Sequence, residues 1–326
     1  MTINWVFEVD YAVFAVFATL LITEIMGAML LLTAWDATKK RVLDYIVPIW
    51  EITGTFGAFW VVTSYFAYPT LLIPVSEIFA PLLIIFLILF IARNSSIAFA
   101  EFIIKKRWLD EVKLYKAYAF SAIVLGLVLL VLVSALVGGQ GVHLSIDLQT
   151  GAITGSFSIA SWATAGSVIF ILGTLLLGAG LAPAFFDLAP LRRLILPLTG
   201  AGIALSVLSY YLMSSTLLTW WMTIPVVLTL AAGLLYLWPK TTRILANKAV
   251  FILLMCIAVF SLQPLVYPNV IGRAYAVDNL TTSGTMESAF LPASVVGAIV
   301  LAVMIGFYVM VAARGTSGPD TPISTP

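Results

Sequence analysis

The chain alternates long, unbroken apolar runs with short polar interruptions, and no stretch keeps an apolar-polar period of two. A helix needs roughly 20 apolar residues to cross a bilayer. Nine runs of about that size stand at about 11–35, 48–70, 74–93, 115–138, 158–182, 191–213, 217–238, 250–268 and 290–313. Continuous runs predict helices, because a membrane barrel would show alternating strands. The predicted fold class is an all-α polytopic membrane protein of about nine transmembrane helices, forming one transmembrane domain over residues 1–313. Spans one to four (11–138) and five to eight (158–268) begin and end on the same side, so the pattern fits two four-helix bundles, a pseudo-repeat, with a peripheral ninth helix at 290–313. The tail 314–326, rich in Pro, Ser and Thr, is expected to be disordered and cytoplasmic.

Two interruptions are longer than a turn. "GGQGVHLSIDLQTGAITGSF", Gly138 to Phe157, breaks the helical pattern with Gly and polar residues and predicts a loop or short hairpin. "YPNVIGRAYAVDNLTTSGTMES" opens at Tyr267 on a Pro that ends a helix. The remaining interruptions carry the positive charge. With the N-terminus outside, Lys39, Lys40, Arg41, Arg93, Lys105, Lys106, Arg107, Lys113, Lys116, Arg192, Arg193, Lys240, Arg243 and Lys248 fall on internal segments, and the tail adds Arg314. That is fifteen of the sixteen Lys and Arg, with Arg273 outside, and it orients the chain with a cytoplasmic C-terminus.

Composition agrees, since 62% apolar and 10% charged residues leave too little polar surface for a water-soluble fold of 326 residues. A net charge of +1 without a long basic run gives nucleic acid nothing to bind. The single cysteine, Cys256, excludes an intrachain disulfide and C-x-x-C chemistry. The first apolar run follows Glu8 and Asp10, lacks a basic leader and a small-residue cleavage site, and is expected to be a retained helix.

Three acids, Glu24, Glu51 and Glu77, fall inside the predicted spans. One acid is tolerated in a long apolar run, but it needs a reason to be there. Glu24 lies roughly 16 Å from the inner end of the first span at 1.5 Å per residue. Glu51 follows Pro48 by three residues and is expected near the cytoplasmic surface; Glu77 follows Pro74 and is expected near the outer one. Both acids also suit helix N-termini, where negative charge is favoured. Gly27 and Ala28 share a face with Glu24, and Thr55 with Glu51, so these carboxylates are expected to face protein.

His143, the only histidine, lies in an external loop with only Asp147 near it, which is too little for a metal site or for a membrane-embedded haem. Met26, Met29, Met213, Met222, Met255 and Met304 are expected to pack. Trp5, Trp35, Trp50, Trp108, Trp220, Trp221 and Trp238 read as interface anchors. Nucleotide-binding, zinc-protease and serine-hydrolase motifs are absent.

"ITEIMGAMLLL", "KKRVLDYIVPIWEITGTFGAFWVVTSYFAYP", "IFAPLLIIFLILFIARNSSIAFAEF" and "YPNVIGRAYAVDNLTTSG" occur in that order, and the chain resembles a divergent subunit II of cytochrome bd-type quinol oxidases over nearly its whole length. The family's Trp-Asp-Gly-Asn motif stands here as Trp50, Glu51, Ile52, Thr53. Of its Gly-Phe-Asp-x-Gly motif, Gly27 fits the final Gly, Ile25 occupies the Asp position and Glu24 stands one place earlier, a turn of about 100° on a helix. The resemblance implies a respiratory, electron-transport role in a prokaryotic cell membrane. This chain would be a non-haem-ligating subunit, inactive alone, in a heterodimer or larger complex with subunit I, which would carry haem b and haem d, with quinol and oxygen as substrates. It also implies a proton path from the cytoplasm through Glu51, with Trp50, Thr55 and Glu24, and room for a structural quinone or lipid. Two other classes fit the residues alone, a proton-coupled secondary transporter using Glu24 and a structural scaffold.

Overall fold

A computed structural model describes residues 5–103, 110–146, 153–213, 223–238, 247–265, 269–270, 275–276, 288, 290–300, 302–303 and 306. The fold is all-α and polytopic. Helices α1 (Trp5–Thr33), α2 (Trp35–Ala67), α3 (Pro69–Ile78), α4 (Ala80–Phe102) and α5 (Glu111–Gly138) lead to an antiparallel hairpin, β1 (Val142–Ile146) and β2 (Ile153–Phe157). The short α6 (Ile159–Trp162), α7 (Ala165–Phe185), a 3₁₀ turn (Ala189–Leu194), α8 (Ile195–Met213), α9 (Thr223–Leu237) and α10 (Lys248–Phe260) follow. Strands β3 (Asn269–Val270) and β4 (Tyr275–Ala276) pair before a last helix, α11 (Phe290–Val300). Among the described residues, seven helical stretches are long and apolar enough to cross a membrane, and α9 and α11 are shorter apolar helices that coincide with the other two predicted spans. The predicted tail, 314–326, lies outside the described residues, as do Lys105, Lys106, Arg107, Lys240, Arg243 and Arg273.

Local chemistry sets the ends. Asp110 accepts from the Val112 amide at the start of α5, and Thr164 and Asn247 do the same for α7 and α10. Gly139 ends α5 in the left-handed region, φ 68°, its amide returning to the Ala135 carbonyl. The 138–157 interruption is indeed a hairpin, anchored where the Trp162 indole donates to Ser134 on α5 at 2.8 Å.

Helix α1 is the central element. It packs on α2, α5, α7 and α10, and its residues Leu20, Met26, Leu31 join Ile46, Tyr118, Phe185 and Phe251 in one apolar core. Between α7 and α8 the packing is closer still. A Cβ on Gly180 or Gly202 would stand 2.5 Å from the backbone nitrogen of Thr199 or Leu177, so these helices meet backbone to backbone.

Two predicted spans change shape, and the change matters for the acids. The second does not begin at Pro48. Helix α2 starts at Trp35 and runs through Pro48, forgoing the one backbone bond that residue 48 would give to Asp44. The third run is broken at Phe79, and its membrane-length helix is α4, shifted toward the C-terminus. Arg93, counted above on an internal segment, is therefore well inside α4 and 1% exposed. Glu77 stands in the last turn of α3, exposed, where the N-terminal dipole explanation does not apply.

Candidate functional site

Arg93 explains Glu24. The two side chains, 1% and 0% exposed, form an ion pair between α4 and α1, and the Tyr118 hydroxyl on α5 donates to the same Glu24 oxygen at 2.8 Å. The guanidinium also lies 5.6 Å from the Tyr118 ring centroid and 5.8 Å from that of Phe90, and it donates to Asn94 at 2.7 Å. A charge pair held this way enters the membrane as a nearly neutral unit, which is how an acid and a base coexist in apolar helices. Glu24 Oε1 and Arg93 Nε have no partner among the described residues, so the pair keeps an unused acceptor and an unused donor.

Gly27, one turn on from Glu24, permits the approach of α2 behind the pair. A Cβ there would sit 2.7 Å from Ile46 and 3.0 Å from Val42 and Phe186. Beside it, the Tyr45 and Thr23 hydroxyls hydrogen-bond at 2.7 Å, and the Thr23 hydroxyl also lies 2.7 Å from the Leu20 carbonyl.

Glu51 is placed differently. It lies more than four turns into α2, on the exposed face of that helix, so the helix-start capping reading does not hold. The Thr23–Tyr45 bond fixes the level of α2 against α1, and Glu51, six residues further along, lies about 9 Å beyond Tyr45. Glu51 is thus further from the α1–α2 turn than Glu24. Thr55, also exposed, donates to the backbone carbonyl of Glu51 at 2.9 Å rather than to its carboxylate, and Trp50 is half-buried against the core. Among the described residues no hydrogen bond or ion pair joins Glu51 to Glu24.

Among the exposed positions of α2, Asp44, Pro48, Glu51, Thr55, Ala58, Val62 and Tyr65 form one stripe at spacings of three and four. Neighbouring α4 presents Ile84, Leu87, Ile88 and Ile91, all apolar. The α2 stripe carries two acids, Asp44 and Glu51.

A further buried acid escaped the sequence pattern because α1 begins earlier than its apolar run. Asp10, 6% exposed, accepts from Thr63 at 2.8 Å and from Ser64 at 3.1 Å on α2. Glu8 beside it accepts from Gln263. The signal available was the Asp10 and "VVTSY" polar pair, one in each helix of a predicted hairpin.

His143 is exposed on β1, cross-strand from Ser156, while Met26 and Met255 are packed in the apolar core. Among the described residues no group of three or more His, Cys, Asp and Glu side chains is placed to hold a metal ion.

Against solved structures, the chain aligns over 95% of its length with 98% of a chain in the bd oxidase from Geobacillus thermodenitrificans, with a TM-score of 0.71 and 15% identity. The chain has a bd-oxidase-like fold. No family model matches it, and no curated protein does either. The likeness is therefore one of architecture, carried by helix order and packing over nearly the whole of both chains.

Proposed function

We propose that this chain is the haem-free subunit II of a bd-type terminal quinol oxidase, an oxidoreductase complex of a prokaryotic cell membrane, with its N-terminus outside. It stabilises a haem-bearing subunit I, where haem b and haem d reside, and it has no activity alone. The observation that carries this reading is the bd-oxidase-like fold over 95% of the chain.

The α2 stripe supports a membrane partner. A carboxylate facing hydrocarbon costs several kcal/mol, roughly 2.5–3.5 on insertion scales for an Asp at mid-helix. Glu51 is exposed amid Ala58, Val62 and Tyr65, so the face it occupies is covered by protein or lines an internal aqueous path rather than meeting lipid tails. A cysteine at Ala58, in a chain carrying Cys256→Ser, is expected to cross-link to the haem-bearing subunit, while one at Ile88 on α4 does not. Equal labelling of both by a lipid-soluble reagent, without a cross-link, contradicts the assignment of the faces.

In this reading Glu51 receives protons from the cytoplasm and passes them toward subunit I, with Trp50 and Thr55 shaping the site. Glu24, held by Arg93, sets the local charge behind it. Glu51→Gln keeps the shape and removes the titratable group, so quinol-driven oxygen consumption is expected to fall by about 10²-fold, the usual scale for a lost proton-transfer group, in a normally assembled complex. Unchanged turnover across a pH series removes Glu51 from the path. The ion pair weighs against the transporter reading, since Glu24 is already committed to Arg93 and Tyr118.

A further inference from the structure

One end of the bundle gathers the start of α2, the α7–α8 connection, the end of α9 and the start of α10, and with them three cations that lack full neutralisation. Arg41 pairs with Asp187 at 3.2 Å, and its side chain stays 55% exposed. Arg192 lies over the Tyr236 ring at 5.5 Å, and one of its terminal nitrogens is buried with no acceptor among the described residues. Lys248 stands 5.0 Å from the Tyr45 ring centroid, within electrostatic reach of Arg41 and Asp44. Tyr236 ties the set together, 3.5 Å from Asp187 and within reach of both arginines. Two carboxylates, Asp44 and Asp187, thus face three cations, and one guanidinium donor is unused. Asp187 itself is held at φ 51°, the left-handed region, which orients its backbone carbonyl to accept from Arg41.

What adjoins the cluster is apolar. The seam between α9 and α10, lined by Leu228, Ala232, Leu254 and Ala258 among others, begins one turn from Tyr236 and Lys248 and leaves room for little more than a water molecule. Leu234 and Leu253 are exposed on the outer surfaces of these two helices, and Trp238, 65% exposed at the end of α9, is the amphipathic type that sits at headgroup level. Cations at one end of an exposed apolar helix surface match a molecule with an anionic head and a hydrocarbon tail.

We propose that Arg41, Arg192 and Lys248 bind the phosphate of an anionic phospholipid whose acyl chains rest against the exposed apolar surface of α9 and α10. The phosphate oxygens accept from Arg192 and Lys248, and Arg41 stays braced by Asp187. Basic pockets between helices at a membrane surface recognise lipid phosphates by this charge. The inference does not depend on the oxidase reading, since it uses only this chain's own residues.

The test uses the full chain, purified with whatever accompanies it, stripped of lipid and examined by native mass spectrometry with added phosphatidylglycerol, phosphatidylcholine or sodium phosphate. Phosphatidylglycerol is expected to be retained preferentially, with affinity falling about fivefold for each cation removed in Arg192→Gln and Lys248→Gln. Arg192→Lys and Lys248→Arg keep the charge and are expected to keep the lipid, which separates lost charge from a misfolded end. Retention unchanged in the Gln variants overturns the proposal, as does loss in the charge-keeping variants. Displacement of the lipid by equimolar sodium phosphate would assign the cluster to a soluble anion and overturn it too.

Discussion

Replacing Glu24 with Leu is expected to prevent stable assembly, while the double replacement Glu24→Leu with Arg93→Met restores it. The single change leaves a guanidinium, 1% exposed, among Phe90, Tyr118 and apolar helices with no carboxylate to answer it. Breaking a buried pair in this way costs about 3–5 kcal/mol, comparable to the whole stability margin of many proteins. Arg93 cannot relieve the cost by giving up its proton. The reverse change, Arg93→Met, is expected to be milder, because the Glu24 carboxyl left behind can become neutral by taking up a proton, with Tyr118 still donating to it. Tyr118→Phe removes one hydrogen bond to a charged acceptor, about 1.5–3 kcal/mol. The check is the amount of intact protein recovered in mild detergent and its thermal midpoint. Equal yields for Glu24→Leu, Arg93→Met and the double variant would mean that the pair carries no structural weight.

The second large effect is expected at the α7–α8 seam. Gly202→Leu places a Cβ 2.5 Å from the Leu177 nitrogen and 2.9 Å from the Gly173 carbonyl oxygen, atoms of a backbone that cannot rotate away. The helices must separate, and the contacts of Gly173 and Gly180 along the same seam are lost with them. Overpacking typically costs about 1–3 kcal/mol, and rigid backbone on the far side puts this case at the upper end. Gly200→Leu, two residues away, meets nothing within 4 Å and is expected to be neutral. The pair of variants, compared by melting in detergent, separates helix approach from general glycine effects. Equal midpoints for Gly202→Leu and Gly200→Leu would contradict the seam.

The fold was legible because bilayer crossing imposes a length and a hydropathy that any sequence must meet, and all nine apolar runs have a helical counterpart among the described residues. The site was legible only in part. Glu24 stood out as an acid in an apolar run, but its partner did not, since Arg93 lies at the edge of the third run when that run is placed by hydropathy alone. The break at Phe79 shifts the helix by several residues, and only the packed structure turns an apparent loop cation into a buried one. Pro48 misled in the same way. A proline usually opens or breaks a helix, but α2 tolerates it on an exposed face where one missing backbone bond is cheap, and Glu51 thereby moves from a helix start to mid-helix. Asp10 was passed over because it precedes the apolar run, and burial by Thr63 and Ser64 is a tertiary fact.

Glu24 and Glu51 share a short stretch of the bundle but face opposite ways, one locked in the core and one open to whatever covers α2. That division suits a subunit that supports and supplies a neighbour. The most direct test is to purify the chain gently from its native membrane, record the reduced-minus-oxidised spectrum, then separate the subunits and record it again on each. Haem bands are expected in the intact complex, following the haem-bearing companion on separation and leaving this chain colourless. Haem bands that remain with this chain alone, or a colourless particle with no haem-bearing companion, would contradict the proposed function.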